Sequence, residues 1–170
     1  MSNNIVLTGM MGAGKSSVAV ELVSLLPSYR LVELDSEIEK NQCLTINEIF
    51  EKKGENYFRE IESSLLKKFL TEKNLVISLG GGAFLSEVNR AEIKLNAFSV
   101  YLETSIETIF SRIKNDDSRP LLKSNDVLSK IREILELRKP LYELADCKVT
   151  TDDRNVSEIA QEILERYKEC

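Results

Sequence analysis

The sequence predicts an α/β fold with a central five-stranded parallel sheet and helices on both faces, a three-layer architecture. Two observations carry this. Short apolar runs alternate with helical patterns along the chain, and parallel strands need such crossovers. The chain also lacks repeats, linkers and low-complexity segments, so its 170 residues form one domain.

The first strand is the apolar run 5–9, ended by glycine. A helix over 16–26 shows Val18, Leu22, Val23 and Leu26 on one face and stops before Pro27. Residues 30–34 form the second strand. Residues 45–54 open with a capping box, Thr45 to Glu48, and close on Gly54. A helix over 58–70 follows, striped by Ile61, Leu65, Leu66 and Phe69. A third strand runs over 74–82 and ends in three glycines. The fourth covers 98–103, and a second capping box, Thr104 to Glu107, starts a helix toward Lys114. Residues 115–126 have no period and read as a loop. A helix over 127–139 ends near Pro140, and the last strand covers 147–151. The final helix is capped by Asn155 with Glu158 and striped by Val156, Ile159, Ala160, Ile163, Leu164 and Tyr167.

Composition removes several function classes. The formal net charge of −5 argues against a large nucleic-acid surface. Histidine is absent, which excludes a Ser-His-Asp triad and an imidazole base. Proton transfer then rests on carboxylates, Lys, Tyr or Cys. Cys43, Cys147 and Cys170 form no CxxC pair and read as free thiols, not a zinc site. No signal peptide and no apolar run of about 20 residues is visible, so a soluble, cytoplasmic protein is expected.

The sharpest motif is Gly-Met-Met-Gly-Ala-Gly-Lys-Ser at 9–16, which fits G-x-x-x-x-G-K-[ST] between a strand and a helix. Its glycines let backbone N–H groups turn toward phosphate oxygens, and the helix points its positive end at them. Lys15 reaches the β- and γ-phosphates, and Ser16 is placed to ligate Mg²⁺. The motif does not name the acceptor. Arg59, Arg112, Arg119 and Arg138 lie in or near loops expected at the site, and Arg binds carboxylate or phosphate bidentately. Asp35 follows the second strand and is the best candidate to take a hydroxyl proton. It also fits an N-cap for a helix around 37–40. Gly80 to Gly82 allow close backbone approach to a ligand, or simply make a tight turn.

Taken together, these stretches resemble the shikimate kinases. The resemblance spans about 4–142 and rests on GMMGAGKSS, LDSEIE, IFEKKGENYFREIE, VISLGGG, SRPLL and RKPLY. It implies the P-loop kinase fold of the nucleoside monophosphate kinase group. It also implies transfer of the γ-phosphate of MgATP to the 3-hydroxyl of shikimate, on the route to chorismate and the aromatic amino acids. By the resemblance, Gly12, Ala13, Gly14, Lys15, Ser16 and Ser17 bind ATP. Arg112 and Arg154 flank the adenine, and Arg119 closes onto ATP with a lid over about 112–126. The substrate region covers about 33–62. Asp35 binds shikimate and acts as base, Arg59 and Arg138 clamp its carboxylate, and Gly80, Gly81 and Gly82 line the pocket. The implied partners are shikimate and ATP only, with no nucleic acid or membrane, and a monomeric protein.

One position departs from the pattern. Similar enzymes carry Asp-x-Asp after the second strand, whereas this chain has Glu33-Leu34-Asp35. Glu33 keeps the charge that supports magnesium through water but is one methylene longer. Two other readings remain open at this stage: a gluconate-type sugar kinase on the same fold, and a nucleotide-binding regulatory protein without catalysis.

Overall fold

A computed structural model describes residues 4–113 and 126–169. The strands β1 (Ile5–Thr8), β2 (Arg30–Glu33), β3 (Leu75–Ser78), β4 (Phe98–Glu103) and β5 (Cys147–Thr150) form one sheet in the order β2-β3-β1-β4-β5. Every pairing is parallel. The central strands β1 and β3 are buried at all positions, while the edge strand β5 alternates buried and exposed residues. That contrast follows from helices covering both faces of the sheet centre.

The helices are α1 (Lys15–Leu25), α2 (Leu34–Gln42), α3 (Ile46–Leu70), α4 (Glu87–Asn96), α5 (Ile106–Ile113), α6 (Val127–Tyr142) and α7 (Val156–Lys168). Alternation along the strands sorts the core into two layers. Ile5, Leu7, Val100 and Val149 pack with Val18, Leu22, Ile159 and Ile163 of α1 and α7. Val6, Val32, Ile77 and Tyr101 face α2, α3, α4 and the end of α6. A third cluster joins Met10 to Ile109 and Ile113 of α5 and Ile131 of α6, so the loop after β1 is tied to the helices on either side of 114–125. Among the described residues, no helix is long and apolar enough to cross a membrane.

Several boundaries differ from expectation. The third strand stops at Ser78, and the glycines after it belong to a turn. Ser105, not Thr104, caps α5: the Thr108 N–H donates to Ser105 Oγ at 3.2 Å. Thr104 is buried, and its hydroxyl pairs with that of Thr151 at 2.7 Å. Helix α6 continues through Pro140 to Tyr142. Proline lacks only one N–H, and the loss falls in the last turn. Helix α4 was not anticipated at all. Of its ten residues only Asn89 and Ile93 are buried, so it carries almost no apolar stripe. The expected lid and Cys170 lie outside the described residues. Cys43 and Cys147 form no disulfide.

The Thr45–Glu48 capping box forms as expected, and the Thr45 backbone bond holds the Glu48 carboxyl down to about 2. Gly54 does not end the helix but bends it. Its φ of 84° and ψ of 169° interrupt α3, which resumes and runs on to Leu70. Only glycine occupies that backbone region at little cost. A Cβ at Gly54 would meet nothing within 4 Å, so any penalty of substitution is conformational rather than steric. Gly54→Ala is expected to lower stability by about 1–3 kcal/mol. Urea unfolding of the two proteins checks this, and equal midpoints would show that the bend relaxes without strain.

Candidate active site

The loop after β1 turns through Gly9 and Gly12, both at positive φ, to Gly14 at φ 90°, which begins α1. Gly14 offers no side-chain cap, and the first turn of α1 has no acidic residue. Its N–H groups therefore remain for an external anion. Lys15 Nζ donates to the carbonyls of Gly9 and Met10, both at 2.9 Å, which arches the loop over its side chain. Arg112 on α5 braces the loop from outside, donating to the Gly12 carbonyl at 3.0 Å.

This loop opens on a cavity of about 360 Å³ lined by Gly12, Gly14, Lys15, Ser16, Ser17, Glu33, Asp35, Gly80, Gly81 and Arg112, among others. A second cavity, of about 350 Å³, has Arg59, Glu62, Gly82 and Arg138 as its polar rim and Ile46, Phe50 and Phe58 as its apolar wall. Met11, Asp35, Gly80 and Gly81 line both. The shared residues make the two cavities one bipartite site at the carboxyl ends of β1, β2 and β3.

The glycine turn explains why the parts fit. A Cβ on Gly80 would lie 2.5 Å from Asp35 Oδ1. One on Gly82 would lie 2.6 Å from both terminal nitrogens of Arg59, and one on Gly81 3.5 Å from Arg138 Nη1. Close approach, not backbone strain, favours glycine at Gly80 and Gly82, because a Cβ there would displace the ends of the Asp35 and Arg59 side chains. The turn is braced from behind by α4. Asn89 Nδ2 donates to the Ala83 carbonyl at 2.9 Å, and Arg90 donates to Phe84 and Leu85.

Asp35 sits in the first turn of α2 and makes no cap; the cap position is Glu33, whose side chain makes no capping bond. Burial raises the Asp35 carboxyl above its ordinary range, Lys15 opposes that, and Glu33 adds to it. Arg59 Nη1 pairs with Glu62 Oε2 at 2.8 Å and its Nη2 with Glu55 at 3.5 Å. Glu62 is 1% exposed, and burial raises its carboxyl despite Arg59. Its Oε1 and Thr8 Oγ1 are the buried side-chain oxygens without a partner among the described residues. Glu62 lines the second cavity.

The chain spans the family, not only its motifs. The shikimate kinase family model matches residues 11–168. The chain belongs to the shikimate kinase family. The shikimate kinase of Persephonella marina is 43% identical over 97% of this chain and 99% of its own length. That of a Sulfurihydrogenibium species is 39% identical, over 97% and 98%. The solved shikimate kinase of Acinetobacter baumannii in complex with shikimate superposes with a TM-score of 0.92 at 38% identity, covering 99% of this chain and 94% of that one. A gluconokinase from Sinorhizobium meliloti shares the fold at a TM-score of 0.63 and 17% identity.

Most of the residues that the shikimate kinase motifs nominate meet in the bipartite site. Three stand apart. Ala13 is buried and lines neither cavity. Arg154 lines neither cavity; its guanidinium donates to Glu162 at 2.5 Å and to the Thr150 and Glu158 carbonyls. Arg119 lies outside the described residues. Sequence reasoning missed Glu62, Met11 and the apolar wall. Glu62 was detectable from its spacing, three residues after Arg59 on one helix face.

The raised Asp35 carboxyl has a stability consequence. A folded-state value above the unfolded one means that folding favours the proton. The stability linked to Asp35 is full below the ordinary carboxylate range and is lost as pH rises through the raised value. Asp35→Asn is therefore expected to melt above the parent at neutral pH, with the gap closing toward pH 3 to 4, a window set by the ordinary carboxylate value near ~3.9. Thermal scans across pH test this; a lower midpoint for the variant at neutral pH would mean that Lys15's attraction outweighs burial.

Proposed function

We propose that this chain transfers the γ-phosphoryl group of ATP to the 3-hydroxyl of shikimate, giving shikimate 3-phosphate and ADP. The observation that carries the reading is the bipartite cavity, with a phosphate loop in one half, two arginines in the other, and Asp35 between them. An acceptor with a carboxylate at one end and a hydroxyl at the other fits that spacing of charges. Arg59 and Arg138 take the carboxylate, and Ile46, Phe50 and Phe58 cover the apolar part of the ring.

The chemistry follows from placement. The acceptor oxygen forms a bond to the γ-phosphorus as the bond to the β–γ bridging oxygen breaks, and ADP leaves with that electron pair. Asp35 orients the hydroxyl and accepts its proton, and a raised carboxyl holds that proton better than an ordinary one. Lys15 and the N–H groups of α1 stabilise charge on the phosphates. The family resemblance assigns Arg119, outside the described residues, to the phosphates and Arg112 to the adenine side; the same assignment for Arg154 requires it to leave Glu162.

No group of three or more metal-ligating side chains exists among the described residues. The donor set instead fits magnesium brought with the nucleotide: the Ser16 hydroxyl and the Glu33 carboxylate line the phosphate cavity, and magnesium takes few protein ligands beside phosphates. When bound there, it neutralises charge on the transferring phosphates. The reading has the chain act as a cytoplasmic monomer on two small molecules, which its net charge of −5 fits better than nucleic acid.

Coupled ADP release from MgATP is expected with shikimate and not with gluconate or without acceptor; ATP binding without turnover on shikimate would overturn the reading. Glu33→Asp is expected to change the apparent magnesium affinity in the same assay. Unchanged magnesium dependence and turnover would remove Glu33 from the magnesium site.

A further inference from the structure

Tyr142 is fully buried at the end of α6, one turn beyond Arg138. Its hydroxyl donates to the Gly81 carbonyl at 2.6 Å, and Arg138 Nη1 donates to the same oxygen at 3.3 Å. One carbonyl of the glycine turn is thus held by two donors from one helix face, four residues apart. The Tyr142 ring is fixed in turn by stacking on Tyr101 of β4, with centroids 5.3 Å apart and planes 26° apart. Burial raises the Tyr142 hydroxyl above its usual range, so it stays protonated and remains a donor.

We propose that Tyr142 is a positioning residue for the acceptor half of the site: its hydroxyl locks the Gly81 carbonyl to α6, setting the distance between the glycine turn and the Arg138 guanidinium. Tyr142 lines neither cavity, so it acts only through Gly81 and Arg138. The shorter of the two bonds is the tyrosine's. With Tyr142 holding the carbonyl, Arg138 keeps its remaining N–H groups for a ligand carboxylate. Without it, the same carbonyl competes with the ligand for the guanidinium. The kinetic part of this inference rests on the acceptor proposed above; the exchange part does not.

Tyr142→Phe removes the hydroxyl and keeps the ring stack. The expected result is a roughly fivefold higher KM for shikimate, the size of one lost hydrogen bond of ~1 kcal/mol. KM for ATP stays within about twofold and kcat falls less than shikimate kcat/KM, as removal of a ground-state positioning contact requires. In ligand-free protein, amide exchange over 80–85 is expected to quicken while exchange over 9–17 stays unchanged. Tyr142→Met, which removes the hydroxyl and the ring stack but stays apolar, is expected to reproduce both shifts. Parent-like shikimate KM and exchange, equal losses for ATP and shikimate, or unfolding of both variants would each overturn the proposal. If the parent itself fails to turn over shikimate, the acceptor assignment falls, and the exchange comparison alone decides the role of Tyr142.

Discussion

The whole site depends on how closely the backbone at Gly80 to Gly82 approaches three charged side chains from three different helices. Asp35 comes from α2, Arg59 from α3 and Arg138 from α6, and each faces one glycine. No Cβ is tolerated against Asp35 or Arg59 without displacing them. The constraint reaches back into the sheet. Leu79 N–H donates to the Leu7 carbonyl at 3.1 Å, which carries the β1–β3 pairing past the end of β3. The glycine turn therefore starts in register with the phosphate loop that follows β1. Parallel pairing of neighbouring strands puts both loops at one end of the sheet, and the absent side chains let them meet.

Electrostatics in that junction is balanced between burial and counter-charge. Asp35 and Glu62 are both buried enough for their carboxyls to rise, and both have a cation that opposes the rise. For a structural ion pair this arrangement is poor value, because burying a carboxylate costs more than an exposed pair returns. In the reading proposed above, where an anionic phosphate chain lies beside a proton acceptor, it has a use. The carboxylates offset the charges of Lys15 and Arg59, the cations that act on them. Glu62 also fixes the rotamer of Arg59 through a bond of 2.8 Å, which orients the guanidinium before any ligand arrives.

How much of this was legible in the sequence depended on what kind of force placed each part. Strands and helices with a dense apolar pattern were read correctly in kind, though β3 stops at Ser78; pattern and burial agree best in β1 and in α7, where Ile159, Ala160 and Ile163 are buried. Helix α4 was not read, because polar bonds hold it: Asn89 and Arg90 dock on the carbonyls of 83–85, while Val88 and Leu95 are 68% and 77% exposed. The shift of the α5 cap from Thr104 to Ser105 has a similar origin. Asp152, from the far side of β5, accepts from the Ser105 N–H and hydroxyl, a tertiary contact that a local capping pattern does not contain. Charged site residues were legible through the motifs that carry them, although Arg59, Arg112 and Arg138 lie within α3, α5 and α6 rather than in loops. The residues that support them, Glu62 and Tyr142, sit inside helices and look like ordinary helix residues until the turn they serve is in place.

The bend at Gly54 shows why the two halves of the site differ in how general they are. In a straight helix, eight residues separate Phe50 from Phe58 by about 12 Å along the axis. Here their ring centroids lie 4.7 Å apart. The bend folds one helix into two walls, with Ile46 and Phe50 before Gly54 and Phe58, Arg59 and Glu62 after it. The phosphate loop needs only a strand, glycines and a helix start, so any sheet of this topology can supply it. The acceptor wall needs a glycine-only backbone conformation inside a long helix, and side chains placed correctly on both sides of it. Fold similarity at 17% identity, as with the gluconokinase, therefore shows the fold alone. In the reading proposed above, acceptor choice belongs to the bent α3, with the glycine turn and Arg138 of α6 lining the same cavity.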